Sequence, residues 1–384
     1  MSERYYITTT PEGGISKPQL LSCWHDEWVR HRTANEKAGD YTDKHTGHID
    51  EPEVALSVII PAYNEEERLE IMLEEAVAYL DATYGRPKET TSTGKTTSTS
   101  VSNINGSGMK LRGDATSTTT STTTSTAITN PLSPSGYEIL LVNDGSKDAT
   151  VQVALNFSKK HHLHNILRII SLTSNRGKGG AVTHGLRHAR GLHALFADAD
   201  GASRFSDVGA LIAGCSAVAD SSGRAVAVGS RAHLVGSEAV VKRSWIRNLL
   251  MHSFHLLLRV LTPRETSRVR DTQCGFKVFT RGALPFVVPY MHAEGWIFDV
   301  EMLMLAESAP ACVGKQEVEV VIEGEGKLAK GTKVRGPGIR VAEVPIQWKE
   351  VGGSKLNVLW DSLGMAWGLA VLRASWIMGV YRRR

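Results

Sequence analysis

Two aspartates, Asp198 and Asp200, lie in the run Asp-Ala-Asp-Gly that follows an apolar stretch from Gly191 to Ala197. A stretch of this length and character predicts a buried strand, so both carboxylates come just beyond its carboxyl end. Hard cations such as Mg2+ and Mn2+ prefer carboxylate oxygens and share their coordination with substrate phosphates. The pair therefore suggests a metal site that holds a diphosphate, although acidic pairs at strand ends also occur as solvated turns.

A second group of polar residues follows the apolar stretch Leu56 to Ile60. That stretch predicts a strand that stops at Pro61, because proline cannot continue a ladder of hydrogen bonds. From Glu66 to Leu80, apolar residues recur at helical spacing. Open α/β sheets bind ligands at the carboxyl ends of their strands, which places Tyr63 and Glu65 well for a base and a ribose. The acidic run that begins at Glu65 also suits a helix N-terminus, which is the structural alternative.

The same order of strand, turn and helix occurs again further along the chain. The predicted strand Tyr137 to Val142 leads into the turn Asn143 to Asp148, and a helix is predicted to begin near Ala149. Asp144 comes directly after the strand, where it could contact a ligand. Asn, Asp, Gly and Ser are also ordinary turn and capping residues, so a purely structural role fits this turn equally well.

A third unit contains three closely spaced glycines. The predicted strand Leu167 to Leu172 precedes the run Asn175 to Gly180, and a helix is predicted from Ala181 to Ala189. Small residues and Lys178 in front of a helix N-terminus predict an anion site. The glycine spacing matches neither a Walker A loop nor the dinucleotide-binding fingerprint.

These elements together predict the fold and exclude some classes of function. The alternation of strand and helix predicts an α/β protein with a mostly parallel sheet covered by helices on both faces. The chain has 384 residues, enough to bury a large core. A net charge of +4, with no basic stripe interleaved with aromatic residues, argues against nucleic acid as a partner. The four scattered cysteines fit neither a metal site nor a disulfide framework, which favours a reducing, cytosol-facing location.

Changes in composition predict the domain organisation. Residues 1–53 are polar and are expected to form an N-terminal extension, and the α/β domain is expected to span 54–350. Ser and Thr dominate Thr90 to Thr126, so we expect residues 86–135 to be a disordered surface insertion with too little apolar surface to offset the entropy of ordering. The Gly- and Lys-rich stretch 323–340 predicts a second, smaller insertion.

Two apolar segments lie in the C-terminal half. Leu249 to Leu261 predicts an apolar helix that fits either the core or a membrane interface. Leu356 to Tyr381 contains three tryptophans and precedes three terminal arginines, a combination that anchors helices at membrane interfaces. Because Asp361 and Arg373 interrupt the second segment, residues 351–384 are expected to form interfacial, membrane-associated helices rather than a spanning helix.

The ordered motifs resemble those of family 2 glycosyltransferases, which implies a GT-A (Rossmann-like) fold. The motifs that carry this resemblance are Val58 to Glu65, Val142 to Ser146, Asn175 to Gly179 and Asp198 to Gly201. Four later motifs resemble those of a narrower group, the dolichyl-phosphate β-glucosyltransferases: Gly229 to His233, Arg270 to Lys277, Trp296 to Glu301 and Gly353 to Leu356. The resemblance covers residues 54–380 apart from the two insertions.

This resemblance implies transfer of glucose from UDP-glucose to dolichyl phosphate with inversion, for the assembly of N-glycan precursors. It also implies the endoplasmic reticulum membrane as the location, with the active site facing the cytosol and membrane lipid as a partner. Whether the chain forms a homo-oligomer is left open. Members of the group usually begin with a membrane-spanning helix, but residues 1–53 contain neither such a helix nor a signal peptide. Attachment through the interfacial helices is one expectation, and loss of a preceding segment is the other.

The resemblance further implies residues for the donor site. The residues expected to bind the nucleotide are Pro61, Ala62, Tyr63, Glu65, Asp144, Lys178 and Asp198. Asp198 and Asp200 are expected to hold Mg2+ or Mn2+ on the diphosphate, which makes UDP a better leaving group.

For the acceptor, the phosphate of the lipid is already anionic and needs charge compensation more than deprotonation. The residues expected to bind it are Arg231, Arg243, Arg247 and Lys355, since a guanidinium group pairs bidentately with phosphate. Catalytic roles are expected for Asp200 and for Asp299, which is placed to orient the acceptor or to stabilise positive charge at the anomeric carbon. A carboxylate at a helix N-terminus is the structural alternative for Asp299.

Three other functions are weighed against this one. A dolichyl-phosphate mannosyltransferase shares the fold, the metal pair and the acceptor but uses GDP-mannose, and the form of the motif Asp271 to Phe276 favours the glucosyl enzyme. A processive polysaccharide synthase would need several spanning helices. A noncatalytic nucleotide-sugar-binding protein is disfavoured by the intact carboxylates and arginines.

Overall fold

The computed structural model describes residues 4–37, 49–87, 134–234, 257–311, 322–324, 327–329, 338–352 and 358–381. The described strands are β1 Tyr5–Ile7, β2 Gln19–Leu20, β3 Val54–Ala62, β4 Tyr137–Asn143, β5 Leu167–Ser171, β6 Gly191–Ala197, β7 Ala225–Ser230, β8 Phe276–Thr280, β9 Ile322–Gly324, β10 Lys327–Ala329 and β11 Arg340–Pro345. The described α-helices are α1 Trp24–Lys37, α2 Leu69–Tyr84, α3 Thr150–Lys160, α4 Gly177–Arg187, α5 Val208–Val218, α6 Arg264–Arg268, α7 Leu284–Val287, α8 Phe298–Glu307 and α9 Val358–Ile377.

Nine strands form one sheet in the order β11-β7-β8-β6-β3-β4-β5-β1-β2. The central strands β6, β3, β4 and β5 are parallel neighbours, and β8 lies antiparallel between β6 and β7. Seven of the nine strands point in one direction, and only β1 and β8 oppose them. Helix α4 packs on β3 and β4, and α5 packs on β7 and β11. The expected mostly parallel α/β sheet flanked by helices is confirmed.

Strand β3 continues further than the sequence predicted. Pro61 pairs with Val142 of β4, and Ala62 pairs with Asn143, so the chain does not turn at Pro61. Pairing of β3 with β6 ends at Ile59, and only β4 borders the strand beyond that point. A proline is tolerated where a strand has one open side, which explains why the expected stop was wrong.

The helices begin at other residues than the sequence predicted. Helix α2 starts at Leu69 instead of Glu66, but its predicted apolar stripe from Leu69 to Leu80 is buried. Helix α4 starts at Gly177 instead of Ala181, so the glycines of the third unit belong to its first turn. Glycine is a poor helix former, and tertiary contacts described below explain why the helix nevertheless includes them.

Part of the predicted polar N-terminal extension, residues 5–20, joins the sheet. Strand β1 pairs antiparallel with β5, and β2 pairs with β1 at the edge. Helix α1 is attached to α4, because the indole nitrogen of Trp24 donates a 2.8 Å hydrogen bond to the carbonyl oxygen of Leu186. Trp28 packs edge-to-face on Tyr290.

Helix α9 near the C-terminus packs against α8. Leu369 and Leu372 of α9 are buried with Ile297, Val300 and Met304 in a small apolar cluster. Within the described part of the chain, no helix combines the length and apolar character needed to span a membrane.

Several sequence expectations fall wholly or partly outside the described residues. The Ser/Thr-rich insertion is one, since 88–133 are not described. Of the second insertion, only the short antiparallel pair β9 and β10 and the residues from 338 onward are described. Of the predicted helix Leu249 to Leu261, only 257–261 are described, and these are helical.

Candidate active site

The loops that carry the predicted polar residues meet at one edge of the sheet. Asp144 follows β4, and Asp198 and Asp200 follow β6, and both strands are parallel neighbours of β3. Because parallel strands have their carboxyl ends at the same edge, these three residues lie along one edge of the sheet. Lysines from α4 and β8 and an aspartate from α8 complete the cluster.

Asp198 is positioned by a lysine and by a glycine. Its Oδ1 atom is shielded from solvent and lies 2.7 Å from the Nζ atom of Lys178, but no described residue donates a well-aligned hydrogen bond to this oxygen. The backbone N–H of Asp198 donates to the carbonyl oxygen of Gly275. A Cβ atom on Gly275 would lie 2.0 Å from a carboxylate oxygen of Asp198, so only glycine fits there. Gly275 lies in one of the sequence motifs, but the sequence did not indicate that it packs against Asp198.

Asp200 adds a second carboxylate beside the first. Burial and the charge of Asp198 raise the pKa of Asp200, while Lys178 and Arg68 act in the opposite direction. The backbone N–H of Ala202 donates a 3.0 Å hydrogen bond to its Oδ1 atom. Two adjacent carboxylates, one with a buried oxygen that lacks an aligned donor, fit the preference of Mg2+ or Mn2+ for oxygen ligands.

Asp299 lies in a buried ion pair with Lys277, which the sequence did not predict. The Nζ atom of Lys277 donates to the carbonyl oxygen of Cys274 at 2.6 Å and also contacts the carboxylate of Asp299. Both side chains are almost completely shielded from solvent. Burial raises the pKa of Asp299, although the charges of Lys277 and Lys178 lower it in part. The carboxylate expected to face the acceptor is therefore engaged inside the protein, and a charged residue within the apolar strand Phe276–Thr280 was the available signal for this pair.

The loops after β3 and β4 are tied together beside this cluster. Asn64, which adopts a positive φ of 55°, receives a hydrogen bond from the backbone N–H of Lys147 at its Oδ1 atom and donates its own N–H to Ser146. Tyr63 remains 38% exposed, which leaves its ring accessible to a ligand. The two carboxylate oxygens of Glu65 accept hydrogen bonds from Arg68 at 2.6 and 2.8 Å.

Pro61 and Ala62, the other expected nucleotide contacts of this loop, form the end of β3. The carbonyl oxygen of Ala62 accepts a hydrogen bond from the backbone N–H of Asp144. This contact fixes the two candidate uridine loops relative to each other.

The glycine-rich turn, for which the sequence predicted an anion site, packs against a neighbouring backbone segment. The backbone N–H groups at the start of α4 already have protein acceptors: Arg176 donates to Asp144, and Gly179 donates to the carbonyl oxygen of Glu294. A Cβ atom on Gly179 would lie 2.5 Å from the carbonyl oxygen of Ala293. The glycines thus admit a neighbouring backbone segment, and two of the N–H groups of the predicted anion site are already engaged within the protein. Burial raises the pKa of Asp144.

Glu301 holds the segment that packs on these glycines. Its carboxylate accepts hydrogen bonds from the backbone N–H groups of His292 and Ala293 and from the hydroxyl of Tyr381. Tyr381 follows α9, so its hydrogen bond to Glu301 links the end of this helix to the segment that packs on the glycines. Sequence reasoning quoted Glu301 only as part of a motif.

Arg231 is the one expected acceptor residue that the structure describes. Its Nε and Nη2 atoms form a bidentate ion pair with Asp271 at 2.7 and 2.8 Å. Glu343, which sequence reasoning missed, holds the turn before Asp271 by accepting the backbone N–H groups of residues 270 and 271. Arg243, Arg247 and Lys355 lie outside the described residues.

Comparison with known proteins gives one family match and several close relatives. The family model described as Glycosyl transferase family 2 matches residues 121–284. A dolichyl-phosphate beta-glucosyltransferase of Saccharomyces cerevisiae is 38% identical over 343 residues, covering 87% of this chain and 79% of the relative. Proteins of the same name from Drosophila melanogaster and Homo sapiens are 36% and 34% identical, covering 87% of this chain and 78% and 79% of their own lengths.

Solved structures give a more distant likeness. Glucosyl-3-phosphoglycerate synthase from Mycobacterium tuberculosis, solved with Mn2+, UDP and glucosyl-3-phosphoglycerate, aligns with a TM-score of 0.46 at 13% identity. The alignment covers 83% of this chain and 80% of that chain. A likeness at this level is too distant to assign chemistry.

Proposed function

This chain belongs to the dolichyl-phosphate β-glucosyltransferase family, and from that premise we propose that it transfers glucose from UDP-glucose to dolichyl phosphate. Attack on an α-linked donor from the opposite face inverts the anomeric centre, so the product is dolichyl β-D-glucosyl phosphate. The observation that carries this proposal at the site is the pair Asp198 and Asp200 at the carboxyl end of β6, with one buried carboxylate oxygen that lacks an aligned donor.

On the donor side, Asp198 and Asp200 hold Mg2+ or Mn2+. When bound, the metal neutralises the diphosphate and makes UDP a better leaving group. Lys178, which lies 2.7 Å from Asp198, adds a positive charge beside the same phosphates.

The nucleotide lies along the loops after β3 and β4. Tyr63 offers an accessible ring to the base, and the loop ends at Pro61, Ala62 and Asp144 shape the pocket around it. Glu65 faces the ribose as a hydrogen-bond acceptor, and Arg68 fixes the direction of its carboxylate.

On the acceptor side, Arg231 is fixed by Asp271 and retains its Nη1 atom for a phosphate oxygen. Arg243, Arg247 and Lys355 supply the remaining positive charge. Because the acceptor is already anionic, this side needs no general base. Asp299 was expected to contact the acceptor. In the proposed mechanism it acts instead as a positioning residue, through its ion pair with Lys277.

A lipid acceptor requires contact with a membrane, and α9 offers a surface for it. Leu363, Trp367, Val371 and Ile377 are exposed by 46 to 73% and recur at helical spacing on the side opposite to the buried Leu369. An exposed apolar stripe with a tryptophan suits the headgroup region of a bilayer. We place this stripe on the cytosolic face of the endoplasmic reticulum membrane, where the family's lipid acceptor would enter.

The test is a transfer assay with purified protein, dolichyl phosphate in detergent and each of UDP-glucose and GDP-mannose in radiolabelled form. We expect labelled lipid from UDP-glucose alone, with loss of product when a chelator is added. Labelled lipid from GDP-mannose would support the mannosyltransferase instead. Absence of product with every donor would contradict the proposed activity.

A further inference from the structure

Lys178 lies beside Asp198, one of the two carboxylates expected to hold a divalent cation. Its Nζ atom is 2.7 Å from Oδ1 of Asp198, and the charge of Asp299 also acts on it. The ammonium group faces the rings of Phe196 and Trp296, at 5.4 and 5.8 Å from their centroids. Anions and two aromatic faces therefore hold this cation in place without any bound ligand.

The position of this ammonium group opposes the binding of a divalent cation when no nucleotide is bound. A cation on Asp198 and an ammonium group on the same oxygen repel each other strongly, because both lie in a partly buried site of low dielectric. A nucleoside diphosphate relieves this repulsion, because its phosphate oxygens can bind the metal ion and the ammonium group at the same time. The lysine side chain has a long, flexible stem and a compact charge, so it can exchange a carboxylate for a phosphate by rotation about its own bonds.

We propose that Lys178 is a built-in counterion that keeps the Asp198 and Asp200 pair from binding a divalent cation until a nucleoside diphosphate enters with it. This inference rests on the metal site of the proposed function and extends it to an order of binding. Metal and nucleotide then bind with positive coupling, each raising the affinity of the other by the same factor. The consequence is a site that stays free of metal while no donor is present.

Binding of Mn2+ tests this directly, because free Mn2+ is counted by electron paramagnetic resonance without any turnover. The dissociation constant of Mn2+ is measured with and without UDP for the wild type and for Lys178→Met. Lys178→Gln serves as a second neutral variant, and Lys178→Arg keeps the charge. Lys159→Met removes an exposed lysine of α3 and is the matched control. Circular dichroism confirms that each variant is folded.

We expect both neutral variants to bind Mn2+ alone at least about fivefold more tightly than the wild type, within the usual range of coupling between two sites. The gain in Mn2+ affinity caused by UDP should be correspondingly smaller in these variants. Lys178→Arg and Lys159→Met should behave like the wild type.

Two results would overturn the inference, and they differ in what else they overturn. If the wild type binds Mn2+ in the presence of UDP but folded Lys178→Met and Lys178→Gln bind Mn2+ alone no more tightly, Lys178 is not a competing counterion and the metal site stands. If the wild type binds no Mn2+ even with UDP, both this inference and the metal site of the proposed function are wrong.

Discussion

Two clusters of buried charge lie at opposite ends of the central strands. At the amino ends, Glu138 of β4 accepts hydrogen bonds from the hydroxyl of Ser57 and from the backbone and side chain of Arg190. Arg168 forms a second ion pair with the same carboxylate. Burial alone would raise the pKa of Glu138, but the charges of Arg190 and Arg168 outweigh burial and lower it.

At the carboxyl ends the balance of charge is reversed. Of three carboxylates, Asp198 pairs with Lys178 and Asp299 pairs with Lys277, whereas Asp200 forms no ion pair with either lysine. Burial raises the pKa of Asp200 and that of Asp299. A carboxylate matched by protein partners supports the fold, whereas an excess of carboxylates leaves negative charge for a ligand to neutralise. The comparison therefore separates a cluster of matched charge from one of unmatched charge within the same sheet.

The largest effect is expected from breaking the matched cluster. Glu138→Ala leaves two guanidinium groups without their buried partner, and we expect the free energy of unfolding to fall by about 3 to 5 kcal/mol. Urea denaturation measures this change. Glu74→Ala removes an exposed carboxylate paired with Lys160 and should change stability little. A stability loss for Glu138→Ala no larger than that of the control would remove the distinction between the clusters.

A substitution in the carboxylate-rich cluster of Asp198, Asp200 and Asp299 is expected to lower the rate of glucosyl transfer and to leave stability unchanged. Asp200→Asn removes the charge of a proposed metal ligand, and metal catalysis contributes several kcal/mol, so transfer should fall by at least about 100-fold. Chemical denaturation should show no loss of stability, because the substitution removes a poorly compensated charge. Glucosyl transfer is measured at limiting Mn2+ or Mg2+. Near-normal turnover of the variant under those conditions would contradict the metal assignment.

The acceptor side should respond less strongly than the metal pair. In the proposed acceptor site Arg243→Ala would remove one charge-assisted contact with the lipid phosphate, which is worth about 1.5 to 3 kcal/mol, or roughly 10- to 160-fold in kcat/KM for dolichyl phosphate. UDP-glucose affinity, measured by calorimetry, should stay nearly constant. A collapse of donor affinity with unchanged acceptor kinetics would place this arginine in the nucleotide site.

The pH dependence of stability distinguishes the matched cluster further. Since the folded-state pKa of Glu138 is lowered, the unfolded state binds more protons in the acid range, and stability rises with pH there. The contribution is fully present above the ordinary carboxyl pKa and is lost as the pH falls through the lowered folded-state value. Glu138→Gln should therefore lose less stability on acidification than the wild type does. Parallel curves for the two proteins, measured by urea denaturation from neutral to acid pH, would argue against this role.

The smallest effect is expected for a region that belongs to neither cluster. Deleting Thr90 to Thr126 should leave transfer and Tm almost unchanged, because a polar Ser/Thr-rich tract contributes few packed contacts. Calorimetry and the transfer assay check this. Failure of the deleted protein to fold would reveal a structural role for the tract.

The central strands and their loops could be predicted from sequence because their signals are local. Strands β4 and β6 are nearly continuous apolar runs, as expected for strands buried on both faces, and Asp144, Asp198 and Asp200 follow them at the same edge of the sheet. The short strands β1 and β2 carry no such signal, since two or three residues show no periodicity.

Other features depend on contacts that sequence spacing does not encode. Lys277 and Asp299 are 22 positions apart and meet only because the fold brings the start of α8 to the start of β8. The role of Gly179 was misread because a small residue fits a phosphate and a crossing backbone equally well. The structure distinguishes these two roles, because a Cβ atom on Gly179 would collide with the carbonyl oxygen of Ala293.

The pairing of β1 with β5 has a consequence for association between molecules. Without residues 5–20, β5 would present a row of unpaired backbone groups, and such an open edge recruits strands from other chains. The hairpin moves the edge outward to β2, which is two residues long and too short to template much pairing. Residues 5–20 thus cover the edge of β5, and we expect their removal to lower solubility at high protein concentration.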